Sequence, residues 1–229
     1  MTETNIKNSQ NRKIAFISCV NNELMYEECL YYINRLIVPE GYTVEIYAIR
    51  GATSMTSGYN QGMKSSDAKY KVYLHQDVTI LNPYFIFDML QIFDSDETIG
   101  MIGMVGNPTL PADGVPWHGE RVGSLYAFDI ENTEYEKDMY KIKDGLYNCE
   151  TIDGLLMITG KDILWREDLF CGFDFYDVSQ CAEFRKAGYR VVVPEQKSPW
   201  TAHDDGVMNL LNGYNKYRKI FIDEYMKTE

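Results

Sequence analysis

The chain has 229 residues, 45% hydrophobic and 14% aromatic, with 34 acidic against 22 basic side chains and a net charge of −12. That length suits one α/β domain whose core needs no disulfide or structural metal. The acidic balance and the lack of a basic run exclude nucleic acid as a partner class. Five cysteines (Cys19, Cys29, Cys149, Cys171 and Cys181) include no CxxC pair, which argues against a zinc knuckle or disulfide framework and fits a reducing compartment.

Residues 1–12 form a polar lead-in, and no run approaches the ~18 apolar residues of a membrane span. The expectation is a cytoplasmic protein, or one held peripherally at the inner face of a membrane. Residues 13–20 read as a buried strand, with Asn21 or Asn22 as a helix cap. Met25, Cys29, Tyr32, Ile33 and Leu36 then follow at helical spacing until Pro39-Glu40-Gly41. Residues 43–49 alternate as a second strand; a small-residue loop over 51–58 leads to a short helix near 59–66. Residues 70–74 make a third strand that runs into His75-Gln76-Asp77, with a helix after Pro83 and a strand over 99–105. This order predicts right-handed crossovers and a mostly parallel sheet, with ligands bound beyond the strand ends at Val20, Ile49 and Leu74.

The second half is less regular. Residues 107–123 form a long Pro/Gly-rich loop carrying Trp117 and His118, and 131–144 read as a charged, solvated stretch. Order returns over 150–158. A helix over 179–187 is stopped by Gly188, a strand follows over 189–194, and the tail over 206–225 reads as helix.

Three places carry candidate chemistry. Asp77, where a buried strand emerges, can offer a hard oxygen to a divalent cation, or can simply cap a turn. Asp177, in Phe173-Asp174-Phe175-Tyr176-Asp177, stands at the predicted helix N-cap, where capping alone would explain it and a rigidly held general base would equally sit. His203, beside Asp204 and Asp205, is one of only 3 histidines and reads as a metal ligand or as a surface residue.

In this order and spacing, these segments resemble glycosyltransferase family 2, in particular its short bacterial glycosyltransferase-like branch. The resemblance runs from about Lys13 to His203, through Asn21-Asn22, Ser57-Gly58-Tyr59-Asn60-Gln61-Gly62, His75-Gln76-Asp77 and Asp177. It implies a single-domain glycosyltransferase A-type, Rossmann-like fold over 13–205, with 206–229 as a C-terminal helix packed on it. It also implies an inverting sugar transfer from a nucleotide-diphospho-sugar to a hydroxyl of a glycan, glycoprotein or lipid-linked acceptor, in bacterial surface glycan or glycoprotein synthesis. The implied catalytic base is Asp177, and Asp77 and His203 are the implied ligands of Mn2+ or Mg2+. Cys19, Asn21, Arg50, Asn60, His75 and Gln76 are the donor-side set, although Cys19, like Cys171, otherwise reads as packing. Trp117, Asp153 and Gly154 are the acceptor-side candidates, with a loop tryptophan and a strand bulge as their plainer readings.

Two departures touch nucleotide recognition: Ile49-Arg50-Gly51-Ala52 stands where the family usually has an Asp, and His75 replaces the first Asp of Asp-x-Asp. They keep open a second class, a non-catalytic nucleotide- or carbohydrate-binding module on the same fold. A nucleotidyltransferase is discounted because Val20-Asn21-Asn22-Glu23 has no Gly, Lys or Arg to cradle a triphosphate. The tyrosine-rich tail is a candidate surface for a second subunit in a homodimer.

Overall fold

The computed structural model describes residues 11–127, 132–135, 141–142, 145–204 and 213–227. Its elements in chain order are β1 (Lys13–Val20), α1 (Glu23–Ile33), β2 (Thr43–Arg50), α2 (Met55–Ser65), β3 (Tyr70–Leu74), β4 (Val78–Ile80), α3 (Phe85–Ser95), β5 (Ile99–Gly103) and β6 (Val105–Asn107). A 3-10 turn at Pro116–His118 precedes β7 (Val122–Tyr126), β8 (Asn132–Tyr135), β9 (Lys141–Ile142), β10 (Leu146–Cys149), β11 (Thr151–Ile152) and β12 (Leu156–Thr159). The chain continues with α4 (Tyr176–Lys186), β13 (Arg190–Pro194), β14 (Thr201–His203) and α5 (Tyr214–Phe221), and Ile222–Met226 closes it as a π-turn.

Successive side chains of a strand point to opposite faces, and β1 shows the consequence. Ile14 and Phe16 enter one core cluster, with Cys29, Ile33, Phe85 and Met89 from α1 and α3. Ala15 and Ile17 enter another, with Tyr59, Met63, Cys181 and Phe184 from α2 and α4. The main sheet is therefore covered by helices on both faces, which explains why β1 and β3 are apolar almost throughout.

Its eight strands run in the order β2-β1-β3-β12-β5-β13-β10-β9. The α/β class holds, and β2-β1-β3 and β5-β13 pair in parallel as expected. The sheet as a whole is mixed, because β12 lies antiparallel between β3 and β5 and β10 lies antiparallel to β13. No helix lies between β11 and β12. The chain reaches it from β11 in a second, six-stranded sheet, so no βαβ crossover forces its direction. This reversal places the start of β12 beside the end of β3, with Leu156 opposite Leu74.

Local signals set most boundaries. Asn22 caps α1, accepting from the Leu24 and Met25 amides. Helix α2 begins earlier than the expected 59, because Ser54 and Ser57 form a reciprocal capping box in what reads as a small-residue loop. Within α2, Gly58 and Gly62 let the helix approach β1: a Cβ on Gly58 would meet Cys19, and one on Gly62 would collide with Ile17. Gly62→Ala is expected to cost roughly 1–3 kcal/mol by overpacking, read as a lowered midpoint in thermal or urea unfolding.

Helix α4 is stopped at Gly188, whose φ is 85°, but it starts three residues before the expected 179. Its N-cap is Phe175, in the left-handed region at φ 60°, so Asp177 lies in the first turn and is not the cap. Of the expected tail helix, 206–212 lie outside the described residues. Tyr217 and Phe221 of α5 are buried against Phe170, Phe175 and Val178 of the same chain. Within the segment expected to be solvated, β8 pairs with β7; 131, 136–140 and 143–144 lie outside the described residues. No described helix is long and apolar enough to cross a membrane.

Candidate functional site

β1, β2 and β3 end together, Val20 opposite Arg50, and the segments beyond them enclose a cleft of about 270 Å³. It is lined by Cys19, Val20, Asn21, Ile49, Gly51, Ala52, Met55, His75, Gln76, Asp77 and Phe173. Gln76 fastens one side: its side-chain oxygen accepts from the Asn21 and Asn22 amides, both at 2.9 Å, and its Nε2 donates to Asn21 Oδ1 at 2.5 Å.

Cys19, Asn21, His75 and Gln76 of the donor-side set thus share one cleft; the other two members do not join them. Arg50 makes a two-pronged ion pair with Glu23, at 2.7 and 2.8 Å, outside the lining. Asn60 is buried in mid-helix, where its amide brackets the Trp165 backbone through Nδ2 to the carbonyl at 2.9 Å and Oδ1 from the amide at 3.0 Å. A loop-fixing contact of this kind looks the same in sequence as a helix-start contact to a ligand.

His203 reaches the site because β14 pairs antiparallel with β4, setting it opposite Val78. His75 Nδ1, His203 Nε2 and Asp77 Oδ1 then form a triangle with edges of 3.3, 3.5 and 3.9 Å. Ligands about 2.1 Å from a shared ion stand about 3.0–3.4 Å apart, so small shifts would close this set around a divalent cation. Asp77 Oδ1 is buried without a hydrogen-bond partner, a costly arrangement that a cation would relieve. Burial pushes the Asp77 carboxyl up, but the neighbouring His203 and His75 imidazoles outweigh it and hold it below its ordinary value. Burial, then His203, lowers His75 to about 4, leaving a neutral imidazole able to ligate.

A second cleft, of about 240 Å³, meets the first at His75 and Phe173. Asp153, Asp177, Trp117, Tyr176, His203 and Tyr214 are among its lining. The antiparallel β12 is responsible for Asp153 being here, since the turn before it is tied to the β3 end by the His75 amide donating to Leu155 O at 3.0 Å. Asp177 Oδ1 accepts from its neighbour's amide, Val178, at 2.8 Å, and Oδ2 from the Gly154 amide at 3.1 Å. Burial, followed by the charge of Asp153, nonetheless raises the Asp177 carboxyl to about 7. A carboxylate so tuned can take a proton near neutral pH.

Trp117 is 44% exposed and stacks on Tyr214, with ring centroids 5.2 Å apart and planes at 28°. Gly154 is buried, and the space a Cβ would need there is taken by the Tyr176 ring. The sequence reading missed Tyr176, Phe173, Asp174 and Tyr214 as members of this cleft. Adjacency to Asp177 was the available signal for Tyr176; no local pattern points Tyr214 at the site.

The model of a glycosyltransferase-like family matches residues 15–225. The mannosyltransferase PcManGT from Pyrobaculum calidifontis, solved with GDP-Man and Mn2+, superposes with a TM-score of 0.56 at 12% identity, over 95% of this chain and 65% of that one. S. aureus TarS 1-349 with UDP-GlcNAc gives 0.57 at 10% identity, over 86% and 60%. GalNAc-T7 with UDP, GalNAc and Mn2+ gives 0.59 at 11%, over 94% and 49%. The shared feature at such identities is the fold, the glycosyltransferase A-type, and the chain spans half to two thirds of the length of these proteins. No curated protein matches the chain in sequence.

Proposed function

The chain belongs to the glycosyltransferase-like family, and from that premise we propose that it is an inverting, metal-assisted transferase of sugar from a nucleotide-diphospho-sugar to an acceptor hydroxyl. The observation that carries this reading is the paired clefts. A carboxylate raised to about 7, Asp177, faces one cleft and Asp77 faces the other, while of the two remaining members of the three-ligand cation set His203 lines the Asp177 cleft and His75 lines both.

The donor would occupy the cleft at the ends of β1 to β3, its diphosphate toward Asp77. His75, Asp77 and His203 would hold a divalent cation, whose charge offsets that developing on the departing nucleoside diphosphate. Two imidazoles and one carboxylate favour Mn2+ over Mg2+ as that ion. The acceptor, a hydroxyl of a glycan, glycoprotein or lipid-linked sugar, would lie in the second cleft with a ring face against Trp117. Asp177 takes the hydroxyl proton as the oxygen attacks the anomeric carbon from the side opposite the leaving diphosphate, which inverts the configuration. Asp153 acts through Asp177, keeping its proton affinity high. The reading needs a compartment supplied with nucleotide sugars, and the cytoplasm is the one we propose.

The test is a calorimetric titration of nucleoside diphosphates and nucleotide sugars with and without Mn2+, followed by NMR of the anomeric configuration of any product. Metal-dependent binding of one donor and an inverted product are the expected results. Metal-independent binding without turnover, for every acceptor class tried, would instead identify a binding module. The committed side chains of Asn21, Gln76 and Arg50 are the observation on that side.

A further inference from the structure

Tyr176 lies outside the metal triangle and is not the base, yet it touches the arrangement of both. Its hydroxyl lies 2.5 Å from His75 Nε2, on the side of the imidazole opposite the Nδ1 that faces His203 and Asp77. We propose that Tyr176 is a positioning residue for the cation site. Its oxygen accepts the Nε2 proton of His75 and so keeps the Nδ1 lone pair directed at the ion. The inference rests on the metal-assisted reading above and adds a residue to it.

The argument is geometric. A neutral imidazole carries one ring proton, and the nitrogen without it is the one that can ligate. If the proton sat on Nδ1, it would occupy the space between His75, His203 and Asp77, 3.3 to 3.9 Å across, that a cation needs. With the proton on Nε2 that space is open, and an acceptor is required on the far side. Tyr176 Oη is the atom found there. A ligating histidine whose second nitrogen is held in this way is both oriented and made more basic.

The surroundings fix the tyrosine in turn. Its ring fills the volume left by the missing side chain of Gly154 and packs among Tyr59 and Trp165. The residue before it, Phe175, takes a left-handed conformation that is uncommon for an aromatic side chain, and packing against Phe170 and Phe221 holds it there. That one reversal sends two consecutive side chains to two places, Tyr176 to His75 and Asp177 to the Gly154 amide. Cation site and base are thereby tied through a single helical turn.

The decisive variant is Tyr176→Phe, which keeps the ring and removes the oxygen. Mn2+ binding without donor, measured by electron paramagnetic resonance on wild type, Tyr176→Phe and Asp77→Ala, is expected to weaken about 10- to 100-fold in Tyr176→Phe. In turnover assays, the Mn2+ concentration for half-maximal rate should rise by a similar factor, while kcat at saturating Mn2+ returns to within a few-fold of wild type. A role in packing alone would instead lower the melting temperature and reduce kcat at every Mn2+ concentration, and would leave metal affinity unchanged; that result overturns the proposal. Loss of Mn2+ in Asp77→Ala with full retention in Tyr176→Phe also overturns it, yet leaves the metal-assisted reading standing. No Mn2+ binding by the wild type would overturn both.

Discussion

Asp177→Asn is expected to lower turnover by about 10²- to 10⁴-fold, the usual contribution of a positioned general base, with little change in donor binding. The amide keeps the shape of the carboxylate and one acceptor for the Gly154 or Val178 N–H, but cannot take a proton. In the wild type, turnover should rise with pH through about 7, because burial and Asp153 hold Asp177 protonated up to that point. The variant should lack this limb. Stability should move the opposite way. A carboxyl raised in the folded state binds its proton more tightly there than in the unfolded chain, where it titrates near 3.9. Its contribution is fully present below the unfolded value and is lost as pH rises through about 7. Asn has no charge to bury, so the variant should melt higher than wild type at pH 8, and that advantage should shrink as pH falls through 7 toward 4. Unaltered turnover in Asp177→Asn would remove this residue from the mechanism, and a flat pH profile in wild type would remove the reason for choosing it.

The second large effect is expected at Asp77. Asp77→Ala should weaken Mn2+ binding by at least about 100-fold, since it removes the only anionic member of the three-ligand set. The fold should survive: the side chain emerges just past β3, and one of its oxygens is buried without a hydrogen bond. Thermal melts separate these effects. Mn2+ at 100 times its dissociation constant should stabilise the wild type by about 2.7 kcal/mol and leave Asp77→Ala unshifted, while the metal-free melting points stay close. A fall in the metal-free melting point with metal affinity intact would make Asp77 a turn-capping residue, its plainer reading.

The contrast between these two aspartates shows where sequence reasoning reached its limit. Asp77 was locatable because it follows a strand whose five residues are all buried, and the end of a parallel strand is a place defined by the chain itself. Asp177 reads in the sequence as a helix cap or as a rigidly held base, in either case at the helix N-cap. The actual cap is Phe175 in a left-handed conformation, which depends on a pocket formed by Phe170, Tyr217 and Phe221, residues up to 46 positions away. Asn60 shows the reverse error: its position on α2 was readable, yet its partner, the Trp165 backbone 105 residues on, was not.

By itself the sequence determined what rests on neighbours along the chain. It set β1, β2, β3, β5 and β13 from their apolar or alternating runs, α1 from its stripe and an Asn cap at 21 or 22, the stop at Gly188, and the edge beyond Val20, Ile49 and Leu74. Such features depend on backbone dihedrals and on contacts within one turn or one pleat, so each residue's own preferences decide them. Only the tertiary structure decided that β12 runs antiparallel beside β3, that β14 returns His203 to Asp77, and that Tyr176 meets His75 across 101 residues. Pairing direction without a crossover helix, and side-chain contacts across the sheet edge, are fixed by how the whole core packs, a property no local stretch of the chain carries.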